Sequence, residues 1–108
     1  MDLEKMMEGC KAMGGNLIFE KTRQICVLEP NTRVILSEAY VRGVTPRTAV
    51  EKKLIIEHAG RFHIKEEFPI ESMRVLKNGL SIATPFGQEV QFQRVGINQF
   101  ILNVIEKG

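Results

Sequence analysis

At 108 residues the chain has the length of one domain, and its 44% apolar and 26% charged residues give the balance of an ordinary folded protein, not a disordered one. Fifteen basic against thirteen acidic side chains leave a formal charge of +2, too small an excess to advertise a nucleic-acid or membrane partner by bulk charge. No apolar run nears the roughly 18 residues of a membrane-spanning helix, and the opening Met1-Asp2-Leu3-Glu4 lacks the basic-then-apolar layout of a signal peptide.

The first element expected is an amphipathic helix over residues 1–14. Asp2 supplies an N-cap, Glu4 sits in the first turn, and Leu3, Met6, Met7, Cys10 and Met13 recur at helical spacing. Gly14-Gly15 ends it. A stripe holding Met6, Met7 and Met13 suits an adaptable docking surface, although core is the commoner use of such a stripe. Cys10 and Cys26 each sit among apolar residues and have no CxxC spacing. Free buried thiols in a reducing compartment are the expected state, with a disulfide left open, and the cytoplasm is the expected location.

Residues 16–94 carry strand signals. Asn16 to Glu20 and Gln24 to Leu28 flank a hairpin tip at Lys21-Thr22-Arg23, and Glu29-Pro30-Asn31 breaks the chain. Thr32 to Val41 is extended, and Gly43 to Pro46 reads as a loop. Glu51 to His58 and Arg61 to Phe68 flank Ala59-Gly60, which reads as a two-residue turn. That turn would pair His63 with Ile56 and put both histidines, His58 and His63, on one face. Asn78-Gly79 is a strong hairpin signal; folding there sets Val75 opposite Ile82 and Met73 opposite Thr84. A three-residue turn at Pro85-Phe86-Gly87 sets Ile82 opposite Val90 and Leu80 opposite Phe92. Met73, Val75, Leu80, Ile82, Val90 and Phe92 then share one inner face. After Gly96 the apolar period changes: Ile97, Phe100, Ile101, Val104 and Ile105 fall on one helical face. A C-terminal helix over residues 97–107 is expected. Its Phe, Ile, Val and Asn residues are middling helix formers, so a last strand over Gln99 to Ile105 is the alternative.

The segments Phe68-Pro69-Ile70-Glu71-Ser72-Met73, Leu80-Ser81-Ile82-Ala83-Thr84 and Ile97 to Glu106 fall in an order that resembles the second half of bacterial pleckstrin-homology-like (PH-like) and GRAM-type domains. The resemblance covers roughly half the chain. The elements read above give one mainly β (α+β) domain over residues 1–108, an antiparallel meander of about seven strands with an N-terminal helix; the resemblance implies that it curls into a PH-like roll or partly open barrel with a C-terminal capping helix. In such folds the loops at the open end bind phosphoinositides when they bind at all.

No catalytic or cofactor motif emerges. His58 and His63 lack a Cys or carboxylate on their expected face to complete a metal site, and an orienting partner for acid–base work. Glu66, Glu67 and Glu71 read as solvated carboxylates. Gly14-Gly15 follows a helix, the wrong order for a phosphate loop. Lys21 and Arg23 at the first hairpin tip, with Arg42 and Arg47 around the Gly43–Pro46 loop, form a basic group that would suit an anionic headgroup or phosphorylated ligand. Too few aromatic residues are spare for stacking on nucleic acid, which is not expected as a partner. The function expected is therefore a non-catalytic binding or adaptor module that works through protein contacts, self-association among them, with Met6, Met7 and Met13 as its docking element. Two alternatives stand beside it: anionic ligand or membrane-surface binding through Lys21, Arg23, Arg42 and Arg47, and a small enzyme of unrecognised type. No cofactor or metal is expected.

Overall fold

A computed structural model describes residues 2–42 and 48–107. Helix α1 spans Asp2–Ala12. Gly14 follows with a positive φ of 72°, and the Gly15 N–H closes on the Cys10 carbonyl at 2.9 Å. This is the left-handed glycine stop expected at a helix C-terminus. Five antiparallel strands then form a sheet in sequence order: β1 (Asn16–Phe19), β2 (Arg23–Leu28), β3 (Thr32–Arg42), β4 (Thr48–Ala59) and β5 (His63–Pro69). A second sheet has four antiparallel strands, also in order: β6 (Ser72–Leu76), β7 (Gly79–Ala83), β8 (Gln88–Gly96) and β9 (Gln99–Glu106). A cis peptide at Glu29-Pro30 lies between β2 and β3.

Alternation assigns the faces of both sheets. In the five-stranded sheet Cys26, Val34 and Ile56 are register partners, as are Leu36 and Leu54. In the four-stranded sheet Met73, Ile82 and Val90 form one row, and Val75, Leu80 and Phe92 the next. These two inner faces and the buried side of α1 (Met6, Cys10, Met13) make one core. Helix α1 lies against β6 and β7, and meets β1 and β2 on the other sheet. Its fit to β7 needs Gly9, because a Cβ there would fall on the Leu80 side chain. Arg94 of β8 holds the same region together. Its guanidinium donates to the Met13 carbonyl at 2.9 Å and to the Glu29 carbonyl at 3.2 Å, a cation at the helix C-terminus where the dipole favours it.

The expected mainly β architecture with an N-terminal helix holds. Its finer features do not. The sheets are two and open, with no closed barrel among the described residues, and nine strands replace about seven. The C-terminal helix over 97–107 is instead strand β9, paired along β8 from Glu89–Ile105 to Arg94–Phe100. The helical spacing of Phe100, Ile101, Val104 and Ile105 arises because β9 is apolar on both faces. With β9 in place of that helix, the capping element that the PH-like resemblance implies is absent among the described residues.

Two turns also differ. The β6–β7 hairpin turns at Lys77-Asn78, so Val75 faces Leu80 and Met73 faces Ile82. The two-residue shift preserves the inner face. The β4–β5 turn takes three residues, Gly60 to Phe62, pairing Ala59 with His63 and His58 with Ile64. This odd shift places His58 and His63 on opposite faces, so the expected shared face does not form. Cys10 and Cys26 are not free thiols: they form a disulfide between α1 and β2, with Cα atoms 5.7 Å apart, inside the usual range for a bridge.

Candidate interaction edge and inter-sheet cleft

Two open sheets have four edge strands: β1, β5, β6 and β9. An unpaired edge is a row of free N–H and C=O groups, which folded proteins blunt by shortness, charge, proline or a cover. Strand β1 has four residues. Strand β5 carries Lys65, Glu66, Glu67 and Pro69. Strand β6 has five residues, includes Arg74, and runs beside α1. Past the ends of β2 and β5, the β3–β4 hairpin also projects as a two-stranded arm, and it carries Arg42, Glu51 and Lys52.

Strand β9 has none of these guards. It is eight residues long, has no Lys, Arg or Pro, and its single charge is the terminal Glu106. It presents apolar side chains to solvent on both faces: Ile101 is 41% exposed and Ile105 40% on one side, Leu102 37% and Val104 47% on the other. The Lys107 N–H donates to the Gly87 carbonyl at 2.9 Å. Alternation then directs the main-chain groups of Ile101, Asn103 and Ile105 toward β8, and those of Phe100, Leu102, Val104 and Glu106 toward the free edge.

Beside this edge the sheets part into a cleft of about 400 Å³. Thr32, Ile56, His58 and Ile64 line it from one sheet, and Phe92, Phe100 and Leu102 from the other. Phe100 stacks on Phe92 with ring centres 5.4 Å apart and meets the His58 ring edge-on at 6.2 Å. The Thr32 hydroxyl and His58 Nδ1 share a hydrogen bond of 2.8 Å. No carboxylate and no thiol lines this cleft among the described residues. Its lining is mainly apolar, with one imidazole anchored to the sheet, and Thr32, Asn98 and Gln99 add polar groups.

The outer face of the four-stranded sheet holds a polar lock around Glu89. Arg74 and Ser81 donate to Oε1, and Lys107 reaches Oε2 at 3.0 Å. These donors, Arg74 first, hold the Glu89 carboxyl down at about 2. The cluster ties β6, β7 and β8 to the segment after β9, and its charges satisfy one another.

The expected docking residues divide. Met6 is 0% exposed and Met13 3%, both in the core, while Met7 is 47% exposed. The helix therefore contributes Met6 and Met13 to the core, with Met7 alone of the three facing out. Lys21 is exposed at the β1–β2 tip. Arg23 is spent on Glu20, with Nη2 to Oε1 at 2.7 Å. Arg42 ends β3 at the same end of the sheet, beyond the Thr22–Glu38 contact. Arg47 and the Gly43–Pro46 loop lie outside the described residues. The structure thus brings Lys21 and Arg42 to one end of the sheet. Among the described residues no group of three or more His, Cys, Asp or Glu side chains is placed to hold a metal ion, and no helix is long and apolar enough to cross a membrane.

Sequence reasoning put a helix first here and held the strand over Gln99 to Ile105 as the alternative, so it did not read β9 as an edge. The signal was there: four β-branched residues in Ile97 to Ile105 favour a strand, and no charge interrupts Gln99 to Ile105. Comparison of the chain with protein families, with curated proteins and with solved structures gives no match.

Proposed function

We propose that this chain is a non-catalytic binding module that acts through protein contacts, accepting an added strand along the free edge of β9. The observation that carries the reading is the contrast between β9 and the other three edges. Shortness, charge, proline or α1 blunts those three, while β9 offers eight residues with free outward main-chain groups and exposed apolar side chains on both faces. In strand addition the main chain supplies affinity and alternate side chains supply selectivity. The Cys10–Cys26 bridge supports a working place where thiols are oxidised, against the cytoplasmic expectation, since outside hyperthermophiles reducing compartments seldom keep such a cross-link.

The test is amide exchange by NMR on the ¹⁵N-labelled chain at low micromolar concentration, with and without a blocked decapeptide of alternating Val and Thr. The peptide should slow exchange at Phe100, Leu102, Val104 and Glu106, the outward set. It should leave Ile101, Asn103 and Ile105 unchanged, because β8 already protects them. Equal effects on both sets, or none at saturating peptide on a chain that sediments as a monomer, would overturn the reading.

A further inference from the structure

We propose that the strand β9 accepts is the β9 of a second copy of this chain, antiparallel and centred on Asn103, so that two four-stranded sheets join into one of eight. The proposal rests on the edge reading above and adds the occupant and the register.

Outward main-chain groups fix which registers are open. Phe100, Leu102, Val104 and Glu106 must face their own kind across a two-fold axis perpendicular to the sheet, so the axis passes through a residue. With Asn103 on the axis, Leu102 pairs with the partner's Val104, and Phe100 with the partner's Glu106. Repeated by symmetry, these pairs close about eight main-chain hydrogen bonds. Between them Ile101 lies opposite the partner's Ile105. Every exposed apolar residue of β9 then gains an apolar neighbour on its own face. The two Asn103 amides meet at the axis, each with a donor and an acceptor. Glu106 faces an aromatic ring, and no like charges stand opposite. Moving the axis to Leu102 keeps an overlap of the same length but leaves Glu106 without an outward partner in the strand and sets Gln99 against Ile105. The Asn103 register pairs all of the outward residues Phe100, Leu102, Val104 and Glu106.

The self-complementary register points to a second copy as the occupant, and the guarded edges explain why assembly stops there. Each copy has one open edge, an isologous contact consumes both, and the remaining edges are blunted. The joined sheet also continues past Leu102, at the mouth of the inter-sheet cleft, so the cleft's exposed rim is covered by the same contact.

The experiment uses the full chain. Native mass spectrometry and sedimentation should show a dimer. Asn103→Cys should form a covalent dimer on mild oxidation, because facing residues of a non-hydrogen-bonded antiparallel pair have Cα atoms about 4.5 Å apart. Ile101→Cys should not, since its own copy lies about 13 Å along the strand. Combining Ile101→Cys with Ile105→Cys should restore the cross-link. Leu102→Pro removes an outward N–H while sparing the β8–β9 ladder, and should weaken the dimer by about a hundredfold, tenfold for each symmetry-related site. If that variant does not fold, the cysteine pair alone decides. A monomer at millimolar concentration, or cross-linking through Ile101→Cys and not Asn103→Cys, overturns the proposal. A monomer whose outward β9 amides the Val–Thr peptide still protects would sink self-pairing and leave the edge reading intact.

Discussion

Reduction of the Cys10–Cys26 bridge removes a covalent tie between α1 and β2 and leaves every other contact in place. The bridged residues are 16 apart. Chain-entropy bookkeeping for a loop of that length gives about 10 cal/mol/K, or about 3 kcal/mol at 25 °C. A Cβ placed on Gly15 would lie 2.6 Å from Cys26 Sγ and 3.0 Å from Cys10 Sγ, so the bridge fits only because residue 15 is glycine. Met6 and Met13 remain buried and keep α1 docked, and a domain of this size holds roughly 5–15 kcal/mol in all. The reduced chain should therefore stay folded, with a urea midpoint lower by about 1–3 M and a Tm lower by about 12–24 °C. The assay is urea unfolding with and without a phosphine reductant, beside a thiol titration in denaturant without reductant. A midpoint unchanged on reduction, or two thiols titrating in the unreduced chain, would refute the reasoning.

Met6→Ala should cost about 2–5 kcal/mol, as buried methionine truncations do, while Met7→Ala should stay within about 0.5 kcal/mol; equal costs in urea unfolding would contradict the placement of α1. The Glu89 carboxyl is held at about 2 against a usual value of 4.5, so its folded pKa is depressed. The stability it confers is full above about pH 4.5 and is lost as pH falls toward 2. Glu89→Gln should flatten acid unfolding of the chain across that window, read by circular dichroism from pH 6 to 2, and an unchanged acid profile would show that the Arg74, Ser81 and Lys107 contacts contribute nothing.

Strands β6 to β8 were the most legible part of the chain because two independent turns agreed on one inner face. Ile82–Val90 and Leu80–Phe92 pair as the Pro85-Phe86-Gly87 turn requires. The Asn78-Gly79 signal pointed to the right hairpin but the wrong pair of turn residues. Gly79 belongs inside β7, where a Cβ would strike the Phe92 carbonyl, so close backbone approach and not turn geometry explains that glycine. The histidines were misplaced for a related reason: Gly60 opens a three-residue turn, and an odd shift reverses faces. The C-terminal segment was read first as a helix because spacing by three and four also results when a strand is apolar on both sides, as β9 is. The disulfide was invisible to spacing because it depends on how α1 lies across β2, a long-range fact. The site went unread with the C-terminal strand, since an edge exists only once the sheet order is known.

The same ambiguity threatens the five-stranded sheet from within. Ile25 and Ile35 are buried outside the main core cluster and, with Ile18 and Ile55, form a row on the face opposite Val34 and Leu36. Hydrophobicity alone then hardly penalises a one-residue slip of β3 along β4. Three consecutive residues impose the penalty instead. Asn31 donates to the Ala59 carbonyl at 2.8 Å, Thr32 meets His58 Nδ1 at 2.8 Å, and Arg33 Nη2 reaches Glu57 Oε2 at 2.6 Å. A slip breaks all three bonds at once. They act as the teeth of a key cut at the end of the hairpin remote from residues 43–47. The length of that connection is therefore free to vary without moving His58 from its place beside Phe100.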